Sequence, residues 1–157
     1  ASSTAVYVAK TLLEQGKKNL TVLTNSVEII IELFGAQDWK VLSTGGESRE
    51  GSFALVGYQT DRMLRSYHVD KAIISAKGID MNAGLTDSDD LHANNKRTML
   101  TRAKDKILAV DSSKFDQVAF AEIGSLDQIT TIVTDAKPET RWLQHFDKIG
   151  VKCIYPK

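Results

Sequence analysis

Cysteine is almost missing from this sequence. Cys153 stands alone, inside the apolar run VKCIYP. An internal disulfide is therefore excluded, and a reducing, cytoplasmic setting is expected. Cys153 itself reads as a small buried hydrophobe in a strand. Long apolar runs are missing too. None approaches the roughly 18 residues that span a bilayer, and no signal-peptide pattern is visible, so no membrane partner is expected. Net charge is absent: twenty basic and twenty acidic residues cancel, at a pI near 7.1. Neutralising phosphates needs a concentrated positive patch, so this segment is not expected to bind nucleic acid by itself. Neither GxGxxG nor GxxxxGK[ST] occurs, which disfavours a nucleotide. The histidines at 68, 92 and 145 are scattered, and with a single cysteine they make no metal site. No cofactor is expected.

What remains is the composition of a globular protein. The 157 residues are 42% hydrophobic and 25% charged, enough for one domain with a full-sized core. No repeat, low-complexity tract or linker divides them. Short β-branched runs alternate with longer amphipathic segments. LTVLT (20–24), WKVLS (39–43), KAIISA (71–76), KILAVD (106–111), QVAFAEI (117–123), ITTIVT (129–134) and VKCIY (151–155) read as strands. Helices are expected over about 3–15, 26–35, 55–67, 90–104 and 138–148. Near-continuous Val, Ile and Leu in several strands imply burial on both faces, as in a parallel sheet covered by helices. Gly16, Gly35 and Gly150 punctuate helix ends, and Pro138 sits near a helix start, where its missing N–H costs little. The class predicted is α/β: a Rossmann-like, three-layer α/β/α arrangement with a mostly parallel sheet. The first helix, however, has no strand before it. A strand upstream of Ala1 would complete the unit, so the chain reads as a fragment.

Residues able to recognise a ligand gather at strand ends, where doubly wound sheets place their sites. ASSTA (1–5) opens a helix and offers free N–H groups with the hydroxyls of Ser2, Ser3 and Thr4. That suits a phosphate or carboxylate, although plain N-capping needs the same residues. Asn25 and Ser26 sit where a strand meets a helix. Gly45 and Gly46 allow positive φ or close approach of a ligand, and equally an ordinary turn. In SAKGIDMNAGLTD (75–87), Lys77, Gly78, Asp80, Gly84 and Thr86 form a ligand-facing loop or a plain surface loop. Asp89, His92 and Lys96 share one face of the next helix, as a hold for a hydroxylated anion or as a solvated face. In DSSKF (111–115), Asp111 ends a buried strand with a charge and Lys114 lies close by. Together these turns suit a small phosphorylated polyol.

The ordered series ASSTA, TVLTNS, VLSTGGESRE, SFALVG, VDKAIISAKGID, GLTD, NKRTML, ILAVDSSKF and ITTIVTD resembles the carboxyl-terminal sensor domain of DeoR-family transcriptional regulators, from Ala1 to about Asp135. The resemblance implies a fold shared with ribose phosphate isomerase type A and CoA transferases. It implies an amino-terminal winged helix-turn-helix upstream that binds operator DNA, a phosphorylated sugar effector, repression of carbohydrate operons, and a homo-oligomer. It carries ligand-site roles onto Ser2, Ser3, Thr4, Asn25, Gly45, Gly46, Lys77, Gly78, Asp80, Gly84, Leu85, Thr86, Lys96, Asp111, Ser112 and Lys114. His92 stands where many members have an acidic residue, so it would tune ligand choice or add pH dependence. The alternative is an isomerase-like enzyme. The glutamate that those isomerases place before the helix lysine falls here at Asn95, an amide unable to act as the proton-transferring base. Asp80, Asp87 and Asp89 are the carboxylates left that could take that base's place; binding without turnover is expected, with the enzyme as the alternative.

Overall fold

The structure, a computed structural model, describes residues 2–157; Ala1, the first residue of the ASSTA stretch, lies outside them. The described residues divide into two compact units, one running up to Tyr67 and the other from His68 onward.

The first unit opens with α1 (Ser3–Glu14), then β1 (Leu20–Thr24), α2 (Val27–Glu32), β2 (Trp39–Ser43), β3 (Glu47–Arg49), β4 (Ser52–Val56) and α3 (Tyr58–Arg65). β1 and β2 pair in parallel, from Leu20 opposite Trp39 to Thr24 opposite Ser43. β3 and β4 form an antiparallel hairpin whose register shifts between Ser48 and Arg49. Ala9, Ile29 and Leu33 make the centre of this unit's core, with Ala5, Val6, Leu13, Val22, Trp39 and Val41 packed on it. Ala5, Ala9 and Leu13 recur every four residues, so α1 presents one apolar stripe.

The second unit contains β5 (Val69–Ile74), β6 (Gly78–Asp80), β7 (Gly84–Asp87), α4 (Asp90–Arg102), β8 (Ala103–Ala109), β9 (Ala121–Gly124), β10 (Thr131–Val133), α5 (Thr140–Ile149) and β11 (Lys152–Ile154). Four of these strands, in the order β11-β10-β8-β5, pair in parallel. Helices α4 and α5 pack against this sheet. This is the mostly parallel, Rossmann-like α/β arrangement that the sequence predicts. A separate antiparallel sheet, β6-β7-β9, carries the loop residues of interest. The core gathers Ile74, Ile79, Leu85, Leu100, Leu108, Ile123, Ile132, Trp142 and Phe146. On α5, Trp142 and Phe146 lie one turn apart and meet Phe115 edge to face, the ring centres of Phe115 and Trp142 being 5.1 Å apart. Burying a side chain the size of Phe146 contributes about 1.5–3 kcal/mol.

Three expectations are corrected. The helix predicted over 55–67 begins only at Tyr58, because SFALV forms β4. Its side chains alternate, with Ala54 and Val56 buried, and Gly57 at φ 98° ends the strand. Short apolar runs fit both periods, and here the β3 hairpin decides. The predicted loop 75–87 contains two strands, β6 and β7. The strand predicted over 117–123 shrinks to Ala121–Gly124, since Gln117 to Phe120 run as an unpaired segment over β6 and β7. No helix among the described residues is long and apolar enough to cross a membrane.

Candidate functional site

Strand β7 is unusual in being buried at all four positions, Gly84, Leu85, Thr86 and Asp87. Helix α4 is unusual in the same way. Its buried residues include Asn95, Lys96 and Thr98 alongside Ala93 and Leu100. A helix this polar normally lies on a surface, so its burial asks where the polar groups find partners. For Lys96 the partner is Asp87. The ammonium bonds to Asp87 Oδ2, and the two side chains are only 11% and 4% exposed. The other oxygen, Oδ1, accepts from the backbone N–H of Ser88 at 2.8 Å and from its hydroxyl at 3.4 Å. Burial pushes the Lys96 ammonium below its usual pKa, while the Asp87 carboxylate pulls the other way and the charge of Lys77 adds to the depression.

The neighbours of this pair are set by backbone geometry. Asp89 caps α4, its carboxylate accepting from the N–H groups of Leu91 (3.0 Å) and His92 (3.1 Å). His92, on the first turn, is partly buried, and that burial lowers its pKa against the pull of Asp87 and Asp89. Across the β6–β7 ladder Gly78 faces Thr86 and Asp80 faces Gly84. The N–H of Lys77, the residue before β6, donates to the Thr86 carbonyl at 2.9 Å. The Lys77 side chain is exposed, and its charge is felt at Lys96.

Other predicted site residues have structural partners. The Thr86 hydroxyl accepts the Ala119 N–H at 2.9 Å and points to the Gly78 carbonyl at 3.4 Å, tying the 117–120 segment to both strands. A methyl at Gly78 would lie 2.7 Å from that hydroxyl, so glycine is required by packing. The Asp80 carboxylate accepts the N–H groups of Asn82 and Ala83, both at 2.8 Å, and shapes the turn into β7. Those bonds hold it below the usual carboxylate range. Asp111 closes the 3-10 turn Ser112–Lys114 by accepting from the Ser113 hydroxyl and N–H, which lowers its pKa, and it lies 3.6 Å from the Lys114 ammonium. This turn runs beside β6 through the bridge between Ile79 and Phe115. Ser112 donates its N–H to Asp135 at 2.6 Å.

In the first unit, the Ser2 hydroxyl caps α1 by accepting the Ala5 N–H at 3.2 Å. Ser3 is exposed and Thr4 partly buried on the same turn. Asn25 is buried and clamps β4: its amide donates to the Leu55 carbonyl at 2.9 Å, and its own carbonyl accepts the Leu55 N–H at 2.7 Å. Gly45 and Gly46, both at positive φ, form a turn held by Thr60, whose hydroxyl donates to the Gly45 carbonyl at 2.7 Å. A methyl on Gly46 would meet the Val56 carbonyl at 2.6 Å.

Around Asp87, then, the fold brings together Lys77, Thr86, Asp89, His92 and Lys96. Asp80 lies at the far end of the same hairpin. Sequence reasoning named Asp87 only as a stand-in base for the enzyme alternative and not among the ligand-binding residues. Its signal was a carboxylate at the end of an otherwise apolar GLTD strand, nine residues before a lysine on a helix. Among the described residues no group of three or more His, Cys, Asp or Glu side chains is placed to hold a metal ion.

The family model described as the DeoR C terminal sensor domain matches residues 1–136. The chain is 40% identical over 136 residues to an HTH-type transcriptional regulator, YulB, of Bacillus subtilis (strain 168), covering 87% of this chain and 52% of the relative. It is 35% identical over 137 residues to the L-fucose operon activator of Escherichia coli (strain K12), covering 87% and 55%. It is 28% identical over 142 residues to the glycerol-3-phosphate regulon repressor of the same organism, covering 90% and 56%. The chain spans about half the length of the curated relatives it matches.

Proposed function

The chain belongs to the DeoR family of transcriptional regulators, as a carboxyl-terminal sensor domain rather than an enzyme, and from that premise we propose that it binds a phosphorylated sugar or related polyol phosphate. Binding alters the DNA affinity of a longer, cytoplasmic, oligomeric regulator that carries a helix-turn-helix upstream. The names of the relatives support this reading, with an HTH in one, a fucose operon in another and a glycerol-3-phosphate regulon in a third.

One observation carries the site: the buried Lys96–Asp87 pair at the end of β7, with His92 and the exposed Lys77 beside it. Burying an ion pair is costly and seldom the best way to stabilise a core, so such pairs concentrate where charge has a task. A ligand bearing an anion and several hydroxyls finds both donors and an acceptor within one hairpin and one helix turn. Regulation follows only if the ligand favours one of two states of the whole protein.

The test is thermal-shift screening of the chain against three- to six-carbon sugar phosphates and their unphosphorylated parents, with an aldose–ketose isomerase assay alongside. A ligand at 100 times its Kd adds about 2.7 kcal/mol of stability, a rise of several degrees in Tm for a domain of this size. A shift with a phosphorylated compound and no turnover is expected. Turnover would make the chain an enzyme, and a shift with the unphosphorylated parents alone would overturn the phosphate.

A further inference from the structure

Helix α2 is apolar on the side that meets solvent. A helix lying on a protein surface normally turns its polar residues outward. In VEIIIELF the order is reversed. Ile29 and Leu33, 8% and 1% exposed, face the core of the first unit. The two acidic residues occupy the flank toward α1: Glu32 meets the Lys10 ammonium at 3.1 Å, and Glu28 lies one turn before it. Val27, Ile30, Ile31 and Phe34 remain, at the three- and four-residue spacing that sets side chains along one side of a helix. A last turn carries the chain round to Phe34, whose N–H donates to the Ile31 carbonyl at 3.2 Å. Ile31 is 69% exposed and Phe34 88%. Phe53 brings a further exposed ring near the start of this helix, since its neighbour Ala54 is bridged to Ser26, the residue that caps α2.

Single apolar side chains scattered on a surface need no explanation, but a contiguous stripe marks a place where something binds. Its chemistry limits the occupant. The stripe bears no charge, so it offers nothing to a phosphate or to a charged peptide. Interfaces between identical subunits are the class whose centres are apolar and poor in charge. The stripe is also complementary to itself: it carries a phenyl ring at one end, the small Val27 at the other and two isoleucines between. Turned antiparallel about a twofold axis beside Ile30 and Ile31, each Phe34 lies over Val27 of the second copy, large against small. Area sets the strength. Covering a ring such as Phe34 removes about 150–250 Å² from water, and the whole stripe on the order of 400–500 Å². A standard stable interface takes about 800 Å² from each partner. The stripe therefore supports a weak, reversible dimer, one contact of a larger assembly.

We propose that the outer side of α2, from Val27 through Ile30 and Ile31 to Phe34, is the surface on which a second copy of this chain docks, the two helices lying antiparallel across a twofold axis. This rests on the oligomeric regulator read above for the presence of a second copy, and adds which surface that copy meets. A closed twofold contact uses the stripe of both copies at once, so it leaves no apolar end exposed to recruit a third.

The test is sedimentation velocity of the chain over a concentration series from about 10 μM to about 1 mM, bracketing the weak affinity expected of so small an interface. The weight-average mass should rise from 17.3 kDa toward twice that value. Phe34→Glu should weaken association at least about 10-fold, and Phe120→Glu, a ring equally exposed in the second unit, should leave it unchanged. Val27→Lys should weaken it as well. An equimolar mixture of Phe34→Glu with Val27→Lys should then restore association, because in the antiparallel arrangement Glu meets Lys at one end and Val27 meets Phe34 at the other. Thermal melting of each variant checks that it is folded, and Phe34 is exposed enough for its variant to test docking alone. A chain that stays monomeric throughout overturns the second copy and gives the stripe to a different partner or segment. Association that survives Phe34→Glu, or that Phe120→Glu abolishes, places the contact elsewhere while the oligomeric reading stands. Loss in both α2 variants with no recovery on mixing overturns the antiparallel arrangement.

Discussion

Lys96 carries the sharpest contrast between a residue's sequence neighbourhood and its surroundings. In NNKRTML it looks like a solvated helix lysine, and only the fold reveals that it is buried against Asp87. Its partner lies nine residues back on a different element, so helical spacing pointed to Asp89 and His92 instead. Asp89 does sit two turns away, but its carboxylate caps the helix. Removing one member of a buried pair strands the other charge in a poor solvent. Lys96→Met is therefore expected to destabilise the chain by about 3–5 kcal/mol, measured by urea unfolding. Lys96→Met combined with Asp87→Leu should recover most of that loss and abolish recognition of hydroxylated anions. A double variant as unstable as the single one would mean that the pair's hydrogen bonds to Ser88 matter more than its charges. Glycine roles were partly legible. A pair of glycines after a strand signalled a special turn, but the reason is the approach of Thr60 and the Val56 carbonyl, both distant in sequence. Gly46→Ala is accordingly expected to lower Tm with no ligand present.

Elements were legible wherever one period dominated. β1 and β2 fall where LTVLT and WKVLS stand, and α1 and α5 follow their apolar stripes to within a residue or two at most ends. The β6–β7 hairpin was not legible, because its strands are three and four residues long and rich in glycine. What specifies it is the Asp80 carboxylate gathering two N–H groups at the turn, together with the 117–120 segment laid across Thr86. This makes the hairpin sensitive to acid. Asp80, Asp111 and Asp135 all have pKa values held below those of free carboxylates, Asp80 by the N–H groups of Ala83 and Asn82, Asp111 chiefly by the Ser113 hydroxyl and Asp135 chiefly by the Ser112 N–H. A carboxylate with a depressed folded pKa contributes stability that is present above its unfolded pKa, near 4, and lost as pH falls through the folded value. The contribution of these carboxylates should therefore be constant from neutral pH down to about 4 and decline below it, while His92, whose pKa burial lowers, adds a decline that begins below its unfolded value near 6.5. Asp80→Asn should lower the neutral plateau and soften the decline below about 4, as followed by circular dichroism. An unchanged acid limb would show that Asp80 plays no part in it.

For the whole molecule, the class was legible and the partition was not. Alternating β-branched and amphipathic segments predicted α/β with parallel strands, and the β11-β10-β8-β5 sheet is that. The two separate cores were invisible, since no linker or change of composition marks the join near Tyr67. Nor does composition reveal regulation: a balanced charge bears only on the expectation that this segment binds no polyanion by itself. The ordered motifs carried the family, and sequence comparison bears it out over residues 1–136. The two tryptophans happen to be divided between the units. Trp39 in the first is partly buried, with its indole N–H donating to the Lys17 carbonyl at 2.7 Å. Trp142 in the second is 1% exposed, its indole N–H 3.4 Å from Asp116. The unmodified protein thus has a built-in optical label in each unit: a redder emitter in one and a bluer emitter in the other, so that intrinsic fluorescence can tell which unit responds first when an effector arrives.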